Sequence, residues 1–78
     1  MPHISLKMLK GRTEEQKKLA ADKLTAALCE ALGCGDGHVT VGIEDYTPEE
    51  WQKVFAEDIE GKSGTLYRKP AYDPKSLL

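Results

Sequence analysis

The hydrophobic period of this chain changes twice, and that constrains its fold more than any single residue does. Over residues 3–8 the apolar side chains take every second position. Ile4, Leu6 and Met8 share one face and His3, Ser5 and Lys7 the other, the pattern of a half-buried strand. From Thr13 the period lengthens to that of a helix. Ala20, Ala21, Leu24, Ala27, Leu28, Ala31 and Leu32 fall on one stripe, while Lys17, Lys18, Lys23 and Glu30 lie mostly off it. Residues 38–44 return to alternation, with Val39, Val41 and Ile43 opposed to His38, Thr40 and Gly42. Strand, long helix, strand predicts an α/β chain built on a β-α-β unit, with parallel strands and a right-handed crossover.

The residues between these segments punctuate them. Lys10-Gly11-Arg12 ends the first strand, and Thr13 is placed to cap the helix, with Gln16 three positions on and Glu14 and Glu15 at the positive end of the dipole. Gly33 is the natural C-cap, followed by a turn-rich connection to Gly37. Thr47-Pro48-Glu49-Glu50 reads as a second helix start, with proline at the first helical position, opening a short helix that carries Trp51, Val54 and Phe55. Residues 61–78 form a C-terminal tail. Thr65-Leu66-Tyr67 is expected to be a short strand there, and the last few residues are expected to fray.

A chain of 78 residues is expected to be a single domain spanning 1–78. Below about 80 residues a core seldom suffices without disulfides, metal or partner subunits. A two-stranded parallel sheet with one helix also leaves a sheet face uncovered. Both arguments call for a homo-oligomer. The 11 basic and 13 acidic residues are spread along the chain for a net charge of −2, which gives no electrostatic footprint for nucleic acid or an anionic membrane. No apolar run approaches the roughly 20 residues of a membrane span, and the alternating N-terminal segment has no signal-peptide core, so a cytoplasmic location is expected. Cys29 and Cys34 lack the ligand count of a zinc site and are expected to be reduced thiols without a role.

The second position is the most informative candidate for chemistry. Methionine followed by proline is a substrate for methionine removal, and processing would leave Pro2 with a free secondary amine at the head of a strand. Terminal amines titrate near 8, and an apolar pocket beside a cation lowers that value, because both disfavour the charged form. A base poised near working pH is what proton transfer needs.

The run from Pro2 through Leu24 resembles the start of the 4-oxalocrotonate tautomerase family: proline, a short alternating strand, a Gly11-Arg12-Thr13 turn, acids with Gln-Lys, then a long helix. The opening Met1–Ile4, the P-E-x-W at 48–51 and the K-P-x-Y at 69–72 are similar to a slightly longer, dimeric branch of that family from enteric bacteria. The resemblance implies a cofactor-independent and metal-free isomerase. Pro2 would be the general base that interconverts keto and enol forms of a small unsaturated 2-oxo acid, in a homo-oligomer with the dimer favoured over the hexamer. It implies that Arg12 binds a substrate carboxylate, which suits the planar fork of a guanidinium, and that Trp51 walls the pocket. The family often places a second arginine on the second strand. Here that position is Thr40, two residues after His38. Neither supplies a fixed positive charge, although Arg68 or Lys69 could, so a monoacid is easier to accept than a dicarboxylate.

Two other readings stay open. With Met1 retained, the Pro2 nitrogen is a tertiary amide without basicity, and the chain would be a non-catalytic self-associating module on the same scaffold. A hydratase or dehalogenase of the same superfamily would need an additional carboxylate. Glu44, Asp45 and Glu49 are candidates, but no spacing singles one out.

Overall fold

A computed structural model describes all residues from Met1 to Leu78. The elements run β1 (His3–Leu9), α1 (Glu14–Leu32), a 3-10 turn at Asp36–His38, β2 (Thr40–Tyr46) and α2 (Pro48–Val54). They continue through a π turn at Phe55–Ile59 and 3-10 segments at Glu60–Thr65 and Pro74–Leu77. The two strands pair in parallel in one two-stranded sheet, so the β-α-β reading holds. Internal contacts divide the chain into two compact units, Met1–Asp45 and Tyr46–Leu78.

In the first unit, the start of α1 is a capping box. The Thr13 hydroxyl accepts from the Gln16 N–H at 3.1 Å, and the Gln16 side chain accepts from the Thr13 N–H at 2.9 Å. A cap of this kind is worth about 1 kcal/mol. The helix ends where Gly33 turns left-handed at φ 70° and returns its N–H to the Cys29 carbonyl at 2.8 Å. The second strand starts later than its alternation implies. Asp36–His38 closes a 3-10 turn, with the Val39 N–H donating to the Asp36 carbonyl at 3.2 Å, so His38 belongs to the turn and β2 starts at Thr40. Odd-numbered residues of β2 face α1, as Asp45 shows by meeting the ammonium of Lys17.

No residue of this unit is buried. Ala20, Ala21 and Leu28 of the helical stripe are half-buried, but Leu24, Ala27, Ala31 and Leu32 are exposed. The stripe is too wide for one two-stranded sheet to cover.

The buried residues all belong to the second unit: Trp51, Val54 and Phe55. Thr47 and Glu50 form a second capping box, at 3.1 Å and 2.8 Å, and Pro48 occupies the first turn, where its missing N–H costs nothing. Trp51 meets Tyr46 edge-on at 6.2 Å between ring centres, and Phe55 meets Tyr72 at 5.6 Å.

The tail departs from expectation at two places. Thr65-Leu66-Tyr67 is not a strand: the Leu66 N–H donates to the Ser63 carbonyl at 3.3 Å, which closes a turn, and Tyr67 is fully exposed. The last residues, expected to fray, form a capped 3-10 turn. The Asp73 carboxylate caps the last turn at the Lys75 N–H, and the Gln52 side chain donates to the Pro74 carbonyl at 2.7 Å. No helix of the structure is long and apolar enough to cross a membrane.

Candidate active site

The entry to the parallel pair gathers four of the residues that matter. Pro2 is half-buried at the head of β1, and its carbonyl accepts from the Thr40 N–H at 3.1 Å. Thr40 is the first residue of β2, so this bond is the first rung between the strands. The Thr40 hydroxyl is engaged as well, lying 2.6 Å from Nδ1 of His3. The His3 ring rests over Gly42, whose missing Cβ would lie 3.7 Å from the ring, so β2 is open where the imidazole lies. His38 ends the turn just before, with its ring near Gly35 and its carbonyl accepting from the Met1 amine at 2.8 Å. With Met1 in place the Pro2 nitrogen is an amide, and 94% of Met1 is exposed, leaving it accessible to removal.

Arg12 lies elsewhere. It follows Gly11, which takes φ 129°, a conformation suited to glycine, in the connection between β1 and α1. Its side chain is exposed and without an ion pair or hydrogen bond. Pro2 and Arg12 flank opposite ends of β1. At roughly 3.3 Å per residue the strand separates them by about 23 Å, more than a small carboxylic acid can bridge. Within one chain the candidate base and the candidate carboxylate clamp do not meet.

Trp51 belongs to the second unit, 9% exposed, and its indole N–H donates to the Tyr72 hydroxyl at 2.9 Å. The hydroxyl thereby satisfies the one polar atom of an otherwise apolar side chain.

Two of these residues are not singled out by the sequence pattern. The alternation places His3 only on the strand face opposite Ile4, Leu6 and Met8. The signal available for it was its adjacency to Pro2, with Thr40 opening the paired strand. Tyr72 was part of a motif without an assigned contact, and it closes over both Trp51 and Phe55. Of the charged groups, Lys17 stands out. Its hydrogen bond and charge interaction with Asp45 raise its pKa above the ordinary 10.5, against a smaller opposing effect of burial. One carboxylate oxygen of Asp45, Oδ1, is buried without a partner.

The profile of the Tautomerase enzyme family matches residues 2–54. A protein named Tautomerase PptA from Shigella sonnei is 34% identical over 74 residues, covering 92% of this chain and 97% of that one. A 2-hydroxymuconate tautomerase from Comamonas testosteroni is 47% identical over 51 residues, covering 65% of this chain and 81% of that one. Among solved structures, TomN, a 4-oxalocrotonate tautomerase homologue of the tomaymycin biosynthetic pathway, superposes with a TM-score of 0.62 at 36% identity, covering 64% of this chain and 77% of that one.

Proposed function

The chain belongs to the tautomerase family and is an isomerase of that kind, and from this premise we propose that Pro2, freed of Met1, is its general base. The substrate we propose is a small unsaturated 2-oxo acid. The Pro2 amine takes the hydroxyl proton of the enol form, and the resulting ammonium returns a proton to carbon, giving the keto form. No redox change or group transfer is involved, so the reaction asks for no cofactor. An amine works here only if it is largely neutral at working pH, and apolar surroundings with a nearby cation favour the neutral form.

The observation that carries this reading is the fixing of Pro2 at the head of the parallel pair by the Thr40 N–H. A terminal amine on a mobile chain end would lose the orientation that makes proton transfer efficient. Arg12 is the proposed carboxylate clamp. Because β1 holds it far from Pro2 of the same chain, the complete site takes Arg12 from a second copy. The first unit supports that assembly, since it buries no residue and α1 leaves Leu19 and Leu32 55% and 65% exposed. A homodimer is the proposed form, with a hexamer as the alternative. Trp51 is the proposed apolar wall. Thr40 and His38 are the proposed polar contacts to the 2-oxo group, where the absence of a fixed charge favours a monoacid such as an aryl enol-pyruvate.

The test combines mass and activity. Intact mass of the protein from its native cells should show the species lacking Met1. That species should ketonise phenylenolpyruvate, with 2-hydroxymuconate a poorer substrate, and Pro2→Ala should lower kcat by about 100-fold or more, the scale of a lost general base, with an unchanged circular dichroism spectrum. Turnover of neither compound, or full activity in Pro2→Ala, overturns the assignment.

A further inference from the structure

The way α1 ends brings the two sulfurs of the chain together. Gly33 takes the left-handed conformation, and such a residue turns the chain so that a following side chain packs back on the last helical turn. That side chain is Cys34, and it packs on Cys29. Their Sγ atoms lie 3.6 Å apart, and both thiols are free and half-buried. An open cavity of about 550 Å³, lined by Asp22, Thr25, Cys29, Asp36 and Val39, reaches this point from solvent. A helix terminus that needed only an apolar contact is served by valine or leucine. Two thiols at this spacing have a chemistry those residues lack.

We propose that Cys29 and Cys34 are a redox-active dithiol, oxidised to an intramolecular disulfide by exchange with a low-molecular-weight disulfide. The thiolate of one cysteine attacks a sulfur of the reagent, which forms a mixed disulfide and releases one small thiol. The second cysteine attacks the protein sulfur of that mixed disulfide, forming the Sγ–Sγ bond and releasing the second small thiol. Two electrons pass from the protein to the reagent, and the two cysteine protons end on the released thiols. The sulfurs must close by about 1.5 Å to reach a bond of roughly 2.05 Å. Glycines at 33 and 35 flank Cys34 and give its backbone the freedom for that movement. Burial and the neighbouring Cys34 thiol push the Cys29 pKa up, so its thiolate is scarce at neutral pH and exchange speeds up in mild alkali.

The experiment is incubation of the folded protein with oxidised glutathione, read by intact mass after acid quenching. The expected product is lighter by two hydrogens and carries no glutathione. Cys29→Ser and Cys34→Ser, each with one thiol left, should instead retain a single glutathione adduct, and reduced glutathione in excess should restore the wild-type mass. Wild-type protein that keeps glutathione on both cysteines overturns the proposal, as does wild-type protein that stays unmodified. The measurement reads no isomerase activity, so its outcome is independent of the role assigned to Pro2.

Discussion

Nδ1 of His3 lies 2.6 Å from the Thr40 hydroxyl, while the Thr40 N–H holds the carbonyl of Pro2, so one residue of β2 grips both Pro2 and the first residue of β1. Deleting the hydroxyl with Thr40→Val keeps the backbone rung and the side-chain shape. Stability should fall by no more than about 1 kcal/mol, as for an exposed neutral hydrogen bond. The catalytic effect should be larger than the structural one: kcat for phenylenolpyruvate is expected to drop several-fold with KM little changed. His3→Asn, whose amide can occupy the place of Nδ1, should keep most of the activity, whereas His3→Phe should match Thr40→Val. The double variant His3→Phe with Thr40→Val should be no worse than either alone. Steady-state kinetics of the four proteins decide it, and additive losses would show that the two side chains act separately.

Thr40 also sets an expectation about substrate range. A guanidinium at this position would bring the fixed positive charge whose absence favours monoacids. Thr40→Arg should therefore raise kcat/KM for 2-hydroxymuconate relative to phenylenolpyruvate, by about tenfold for a gain of roughly 1.4 kcal/mol in a charge-assisted pair. An unchanged ratio between the two substrates would remove Thr40 from the substrate-contacting set.

Arg12 is exposed and makes no hydrogen bond or ion pair within its own chain, so its replacement should cost the fold little. Arg12→Ala is expected to leave the melting temperature within about a degree, since an exposed, unpaired side chain contributes little to stability, and to raise KM for enol acids by about tenfold or more. Arg12→Lys should recover only part of that, because an ammonium cannot pair two carboxylate oxygens in a planar fork. A mixed-oligomer experiment tests the supply of Arg12 across subunits. Pro2→Ala, with its lowered kcat, and Arg12→Ala, with its raised KM, unfolded and refolded together, should yield a fraction of sites with wild-type kcat and KM, since those sites combine an intact Pro2 with an intact Arg12 from the neighbour.

The Lys17–Asp45 pair ties α1 to β2 and gives a pH dependence with a definite sign. The folded-state pKa of Lys17 is raised, so the stabilisation is fully present below the ordinary value of 10.5 and is lost as the pH rises through the higher folded value. Thermal melts should therefore show wild-type protein losing stability in strong alkali more steeply than Lys17→Met. At neutral pH Lys17→Met should melt lower than wild type, because it leaves the half-buried Asp45 carboxylate without its cation. Adding Asp45→Asn to Lys17→Met should recover part of the loss. If the double variant melts no higher than Lys17→Met, the unpaired carboxylate is not the source of the instability.

How far the sequence reaches is seen at particular residues. Thr13 with Gln16, Gly33, and Thr47 with Pro48 are local signals, since each cap is made within a few residues of its own chain, and each is found where the pattern puts it. Position 38 misleads because alternation continues into a segment where Gly35, Asp36 and Gly37 favour a tight turn, and local turn chemistry overrides a two-residue period. Thr65-Leu66-Tyr67 has strand-like composition, but three residues cannot set a period, and a turn bond from the Leu66 N–H to the Ser63 carbonyl takes the backbone instead. The contacts of Gln52 with Pro74 and of Trp51 with Tyr72 span about twenty residues of irregular chain, and no periodicity encodes them. The candidate site shows the same division. Pro2 and Thr40 follow from the strand pattern, but the engagement of the Thr40 hydroxyl by His3 depends on rotamers and on the open space above Gly42.

The Trp51–Tyr72 bond supplies the clearest test of the second unit, because Trp51 is the sole tryptophan and its emission reports on nothing else. Tyr72→Phe keeps the ring that packs edge-on against Phe55 and removes only the hydroxyl. The indole N–H, on a side chain 9% exposed, then loses its acceptor. The expected cost is about 1–2 kcal/mol, the range for leaving a mostly buried donor unpaired. Trp51→Phe removes the donor and leaves the Tyr72 hydroxyl with access to water, so it costs packing volume but strands no polar atom. The two losses should be less than additive in the double variant, since the shared bond can be broken only once. Denaturant titration followed by circular dichroism measures all four proteins on one scale, and the wild-type and Tyr72→Phe titrations can be repeated by fluorescence. Tyr72→Phe should shift the folded-state emission of Trp51 while keeping the same unfolded-state spectrum. An unshifted emission with unchanged stability would mean that the hydroxyl contributes nothing and that the tail is held by Gln52 and ring packing alone.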